Sequence, residues 1–369
     1  MGRRTKGEGG VYRRADGRWC ASVDLGIVRD KRRRRVVYGK TRREVAEKLF
    51  ALRKEAERGN LREPNRLTVE HFLDRWLEDG ARPSVRQTTL ENYRSVIRNH
   101  IVPGLGSERL SGLSPLKIQE FYSTMQKTGV SPRMRQLVHA VLHRALGQAV
   151  RWNVISQNPA ANVVRPKVPR HEVNALSPAQ SRRLLEVAKG GPYEALYVLA
   201  LTTGLRQGEL FGLRWKDVNL RQRSISVQRA IVEVNGRIQV SEPKSAKGRR
   251  RVELSKLALD AIRAHRKQLR ATPHPEAWVF SDSKGGPIRK NNFTRRFWWP
   301  LRERAGLDGV RFHDLRHTAA SLLLSAGVHP KVVQERLGHS SVVLTLDVYS
   351  HVLGSLQRDA ADRIDEILG

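Results

Sequence analysis

Four short segments in the second half of the chain carry polar side chains that could do chemistry. In Thr203-Gly-Leu-Arg206-Gln-Gly-Glu209, an apolar run ends at Gly204 and a new helix is expected to start with Arg206. Glu209 follows one turn later, near enough to hold the guanidinium, although an ordinary surface ion pair has the same spacing and is worth little. Pro243-Lys244-Ser-Ala-Lys247-Gly-Arg-Arg-Arg251 is a basic loop between two strands. Such a loop could contact phosphate, or a lysine on it could reach a cleft and supply a proton. In His313-Asp-Leu-Arg316-His317 the i, i+3, i+4 spacing sets both imidazoles and the guanidinium on one helix face. The fourth segment, Leu337-Gly-His339, is followed ten residues after its histidine by Tyr349, in the polar setting Asp347-Val-Tyr-Ser-His351.

Together these supply two arginines, a lysine, two or three histidines and a tyrosine, with no carboxylate cluster for a metal. A zinc site from His313, His317 and His339 is disfavoured, because Arg316 inside the cluster repels a cation and no His-Glu-x-x-His order is present. No Walker loop or dinucleotide fingerprint occurs, so no cofactor is expected. The set suits attack of a tyrosine on a phosphodiester. Two preorganised guanidiniums would neutralise the pentacoordinate phosphorus in place of a metal, and lysine or histidine would move protons.

The bulk charge agrees with a polyanionic substrate. The 369 residues hold 69 Lys and Arg against 36 Asp and Glu, a formal charge of +33. That much uncompensated charge repels itself unless a polyanion is bound. Arginine predominates, and its fork matches phosphate oxygens. A membrane partner is disfavoured, because no apolar run approaches the ~20 residues a spanning helix needs. No apolar signal core follows the basic Met1-Gly-Arg-Arg start. The single cysteine, Cys20, lies in an alternating stretch that suits packing. A soluble, intracellular, cytoplasmic protein in contact with nucleic acid is expected.

Three segments must position the chemistry. In residues 1–62, Gly10 to Arg13, Arg18 to Asp24 and Arg35 to Tyr38 read as three short strands, with Asp16-Gly17 as the first turn. A helix capped by Thr41 and Glu44 follows, with Val45, Leu49 and Leu52 on one face. The run Lys31–Arg35 is either a solvated turn or part of a sheet lying on DNA. Residues 1–60 hold 19 Lys and Arg against 8 Asp and Glu. After Glu63-Pro64-Asn65, residues 66–167 read as an all-helical unit with helices opening at Thr68, Thr88, Ser114 and Ser131; Pro103-Gly-Leu-Gly106 should end the second. Arg86, Arg94, Arg98, Arg133 and Arg135 are expected on exposed faces as a DNA grip. Residues 171–369 read as a mixed α+β, mainly helical unit. Ser224 to Val240 is expected to form one hairpin about Asn235-Gly236, Arg251–Leu254 to add a third strand, and helices to follow near 255–270, 291–305, 313–326, 330–337 and 341–350.

In this order, the four segments resemble the tyrosine recombinase family, its phage-integrase group in particular, and the whole chain fits that family's three-part layout. The resemblance implies a small arm-type DNA-binding sheet domain, a helical core-binding domain and a catalytic domain. It implies that Arg206 and Arg316 clamp the non-bridging oxygens and that Lys244 protonates the leaving 5′ hydroxyl, with Lys247 a near neighbour. His313 would assist proton transfer at the nucleophile, His339 would hydrogen-bond the phosphate, and Tyr349 would become a 3′-phosphotyrosyl link. Glu209 and His317 resemble supporting positions. Several members place the tyrosine nine residues after the histidine; here the gap is ten. The implied partners are double-stranded attachment sites, three further copies of the chain, and a directionality factor or host DNA-bending protein. Residues after Tyr349, with Val352, Leu356, Ile364 and Ile367, form an amphipathic pattern suited to docking in cis or on a neighbouring subunit. A monomeric relaxing enzyme of the type IB topoisomerase kind, or a non-catalytic DNA-binding regulator, are the rival readings.

Overall fold

The computed structural model describes residues 11–28, 31–57, 67–169, 174–234, 236–241, 248–269, 271–339, 341–343, 361–362 and 364–369. The chain divides into two compact units, Met1–Pro169 and Arg170–Gly369.

The first unit holds two separate cores. In one, β1 (Tyr12–Arg13), β2 (Trp19–Val28) and β3 (Lys31–Gly39) form an antiparallel sheet in that order. Gly17 takes φ +80° in the first turn, a conformation glycine adopts without strain. Helix α1 (Arg42–Glu57) covers one face, packing Val45 and Leu49 on Ala21. The basic run Lys31–Arg35 is strand, not turn: its backbone pairs with Val23 to Val28. The Glu44 backbone donates to Thr41 Oγ1 at 3.2 Å, but the Glu44 carboxylate accepts from the Lys40 backbone, one residue earlier than a regular capping box.

The other core of this unit is helical: α2 (Val69–Arg75), α3 (Gln87–Val96), α4 (Val102–Leu105), α5 (Pro115–Lys127) and α6 (Pro132–Arg151). Thr68, Ser114 and Ser131 accept from backbone N–H groups in the first turns of α2, α5 and α6. The second helix ends within Pro103-Gly-Leu-Gly106, as expected: α4 stops at Leu105 with Gly106 as its cap. A wide π-turn over Ile97–Ile101 joins α3 to α4, so that Pro103 falls in the last turn of a continuous helical run. Gly104 is required there, since a Cβ would lie 2.5 Å from the Phe121 ring. Among the expected DNA-gripping arginines, Arg86, Arg98 and Arg133 are exposed, whereas Arg94 is half-buried and paired with Glu78 and Glu91, and Arg135 is half-buried and donates to Gln126.

The second unit is built around α8 (Glu194–Thr203), whose residues Ala195 to Leu201 are all buried. Helices α7 (Pro178–Ala188), α10 (Lys256–Lys267) and α13 (Asp314–Ser325) pack on it. Helices α9 (Gln207–Phe211), α11 (Lys290–Phe293), α12 (Trp299–Arg304) and α14 (Pro330–Leu337) complete the layer, with a π-turn over Thr294–Trp298 joining α11 to α12. The expected single sheet is two. Strands β4 (Val218–Asn219), β5 (Ser224–Val227) and β8 (Arg250–Glu253) form one in the order β4-β5-β8. Strands β6 (Ala230–Val234) and β7 (Arg237–Ser241) form a separate hairpin. The break falls at residues 228–229, where Arg229 turns in to the buried carboxylate of Asp217 instead of continuing the ladder. The expected helix at 341–350 falls mostly outside the described residues. Among the described residues no helix is long and apolar enough to cross a membrane.

Candidate active site

Helix α8 ends because Gly204 turns left-handed at φ +65°. A larger residue is excluded twice over, since a Cβ on Gly204 would sit 2.3 Å from Leu337 Cδ2. Two residues on, Arg206 is the N-cap of α9 and lies half-buried. Its Nη1 donates to Glu209 Oε1 at 2.8 Å and its backbone N–H to Glu209 Oε2 at 2.9 Å. The expected restraint of Arg206 by Glu209 is thus present, and Glu209 is buried, unlike a surface pair.

Arg316 lies in the first turn of α13 and is 3% exposed. Its Nη1 donates to the Gly204 carbonyl and its Nη2 to the Leu337 carbonyl, each at 2.8 Å. His313 precedes α13, and its ring meets His317 edge to face with centroids 5.1 Å apart. Asp314, fully buried between them in sequence, accepts from the Arg311 guanidinium and backbone. The chain coming into this unit is tied to the same helix: the Leu176 N–H donates to Thr318 Oγ1, which donates to the Asp314 carbonyl.

The C-terminus of α14 joins these parts. Gly338 at φ +68° closes the helix, with its N–H on Glu335 O and the His339 N–H on Gln334 O, the Schellman arrangement. The next three carbonyls point into the site, and each accepts from a different arginine. Arg336 O takes Arg250 Nε at 2.7 Å, Leu337 O takes Arg316, and Gly338 O takes Arg206 Nη2 at 3.1 Å. The negative end of a helix dipole is a poor neighbour for an anion, and the three cations reverse its sign.

His339 follows directly, half-buried, with its carbonyl held by Gln334 Nε2 at 2.9 Å. Its pKa falls to about 4, first through burial and then through repulsion by Arg316, Arg206, His317 and Arg250. His313 falls to about 4 as well, through burial and then His317 and Arg316, with Asp314 opposing. Both imidazoles are therefore neutral at neutral pH. Burial pushes the Glu209 carboxyl up, but hydrogen bonds and charge from Arg250 and Arg206 outweigh it and hold the group ionised.

The structure brings Arg206, His313, Arg316 and His339 to one place. Lys244, its neighbour Lys247 and Tyr349 lie outside the described residues. Of the seven tyrosines, Tyr12, Tyr38, Tyr93 and Tyr122 belong to the first unit, while Tyr193 and Tyr197 are buried in the core of the second, where burial pushes their phenols up. Sequence reasoning missed Arg250, taking it for one of three loop arginines. The signal was strand alternation: Arg250 and Val252 share the inward side of β8, while Arg251 and Glu253 point out. Among the described residues no group of three or more His, Cys, Asp or Glu side chains is arranged to hold a metal ion.

Comparison with known proteins follows the same division. The family described as "Phage integrase family" matches residues 174–355, and "Phage integrase, N-terminal SAM-like domain" matches residues 68–126. An integrase of Saccharopolyspora erythraea is 29% identical over 98% of this chain and 97% of its own length. The Tn1549 transposon integrase, solved in complex with a circular intermediate DNA, superposes with a TM-score of 0.71 over 81% of this chain and 99% of its own, at 24% identity. A lambda integrase tetramer bound to a Holliday junction gives 0.58 over 94% of this chain and 96% of its own, at 20% identity. At such identities the two structures share the fold.

Proposed function

The chain belongs to the phage integrase family of tyrosine recombinases, and on that premise we propose that it breaks and rejoins DNA through Tyr349. It is a site-specific recombinase of a mobile element. In the proposed reaction, the Tyr349 phenol oxygen attacks a backbone phosphorus as its proton passes to His313. The P–O5′ bond breaks, Lys244 gives the leaving 5′ oxygen its proton, and a 3′-phosphotyrosyl link remains. Attack by a 5′ hydroxyl of the recombining strand reverses the sequence, so no bond energy is lost and no cofactor is needed.

The observation that carries this reading is the fixing of Arg206 and Arg316 on consecutive carbonyls, with the neutral His339 ring beside them. Guanidiniums held before substrate arrives need not reorganise when charge develops on phosphorus. His313, neutral at neutral pH, is able to accept the phenol proton. A bound phosphodiester would offset the repulsion from Arg316 and raise its basicity during the reaction.

We assign residues 1–62 to an arm-type DNA-binding domain, 66–167 to a core-binding domain and 171–369 to the catalytic domain. Double-stranded attachment sites are the substrate and a homotetramer the working assembly, with a directionality factor or host DNA-bending protein as accessory. Ile364, Ile367 and Leu368 are 55%, 78% and 81% exposed, an apolar tail suited to a neighbouring subunit.

The test is incubation with a nicked duplex spanning the junction between the encoding element and its chromosome, in excess chelator. A covalent protein–DNA adduct is expected. Cleavage that stops on chelation and returns with Mg²⁺ would show that a metal does the work assigned here to the arginines.

A further inference from the structure

Arg250 holds the site together without belonging to the set assigned to the phosphate. Its side chain is 7% exposed. Nη2 donates to Glu209 Oε2 at 3.0 Å and Nη1 to Glu209 Oε1 at 3.2 Å, a two-pronged grip on one carboxylate. Nη1 also reaches the Gly248 carbonyl, and Nε takes the Arg336 carbonyl at 2.7 Å. One guanidinium thus ties β8 to α9 and to the end of α14.

The same carboxylate is the anchor of Arg206. Glu209 Oε1 accepts from both Arg206 Nη1 and Arg250 Nη1; Oε2 accepts from the Arg206 backbone and Arg250 Nη2. Glu209 therefore sits between two guanidiniums, one nearly buried and one 42% exposed on its side-chain surface. Without Arg250, the buried carboxylate has one cationic partner, which is itself open to solvent. It would be free to draw Arg206 inward or to move with it.

We infer that Arg250 is a positioning residue for strand cleavage, acting through Glu209 on the aim of Arg206 and through the Arg336 carbonyl on the helix end that carries His339. Lysine cannot replace it, because a single ammonium cannot span both carboxylate oxygens in one plane and still meet a carbonyl. This rests on the proposed function and adds a residue whose described partners are Glu209, Gly248 and Arg336.

The experiment uses the full chain and the same nicked junction duplex, reading the single-turnover rate of adduct formation and, separately, DNA affinity. Arg250→Lys is expected to bind DNA as wild type does and to form adduct roughly tenfold to a hundredfold more slowly, the cost of a misaimed group. Arg206→Lys should be slower still. The double variant should be about as slow as Arg206→Lys alone, because residues acting through one network are not additive. Arg250→Met, which keeps the stem's packing, replaces the lysine variant if that one unfolds in thermal denaturation. A wild-type rate in Arg250→Lys, or losses that multiply in the double variant, overturns the inference while leaving the functional reading intact. Wild-type protein that forms no adduct overturns both.

Discussion

Arg316 and Gly204, 112 residues apart in sequence, are joined by a 2.8 Å hydrogen bond from guanidinium to carbonyl. The helix that carries the second arginine is therefore fastened to the turn that aims the first. Loss of Arg316 should accordingly damage both chemistry and fold.

Arg316→Ala leaves the Gly204 and Leu337 carbonyls without this donor in the interior. A cost of about 2–4 kcal/mol in unfolding free energy is expected. Adduct formation should fall on the order of 10²–10³-fold even where the protein is fully folded. Chemical denaturation beside single-turnover cleavage separates the two effects; unchanged stability would mean that the bonds to Gly204 and Leu337 carry no weight.

Gly204→Ala probes the turn itself. It combines a left-handed backbone with a Cβ driven against Leu337, and a loss of about 1–3 kcal/mol is expected. Because Leu337 supplies the carbonyl for Arg316, cleavage should slow as well. A variant as stable and as active as wild type would show that α14 can move away freely.

Tyr349→Phe removes one oxygen and leaves the cationic site intact. The variant should bind the junction duplex about as tightly as wild type and yield neither adduct nor recombinant. Peptide mapping of the wild-type adduct should recover DNA on Asp347-Val-Tyr-Ser-His351. Attachment to any other residue would reassign the nucleophile.

Acid should destabilise the fold in a defined window. His313 and His339 have folded pKa values of about 4 against a usual 6.5, so the unfolded chain takes up protons between those limits that the folded chain refuses. Their contribution is complete above about pH 6.5 and is lost as pH falls towards 4. Glu209, held low by its arginines, adds a further loss below that range. Thermal midpoints measured from pH 7.5 to 4 should drop, and His339→Gln should flatten the drop. An identical pH profile in that variant would contradict the assignment.

Much of this was legible in the sequence, for reasons that differ by residue. Ser114 and Ser131, each followed by proline, marked helix starts because a side-chain cap and a missing N–H act locally. Spacing alone set Glu209 one turn after Arg206 and Arg316 among the histidines. The second sheet was not legible. Residues 224–234 look like continuous strand, and the break depends on Arg229 meeting Asp217, a contact between residues twelve apart whose pairing no local pattern specifies. The π-turn before Pro103 was likewise not legible, although the stop at Pro103-Gly-Leu-Gly106 was. Arg250 could have been found by alternation, but its partner Glu209 lies 41 residues away.

The three arginines at the end of α14 take hold of main chain, and a carbonyl is offered by every residue type. Substitution at 336 or 337 thus leaves the clamp's acceptors in place and is felt instead through the bond from Arg336 Nη2 to the Thr202 carbonyl and through the packing of buried Leu337 on Gly204, Ala320, Leu324 and Val333. Glycine at 338 is kept by its left-handed turn, and Glu209 is the single side chain on which two of the three arginines depend. Variation within a lineage of such proteins should therefore be held tight at one distant carboxylate by its hydrogen bonds, and at Leu337 by packing rather than by the clamp. The pattern would look puzzling in an alignment and follows directly from which atoms accept the hydrogen bonds.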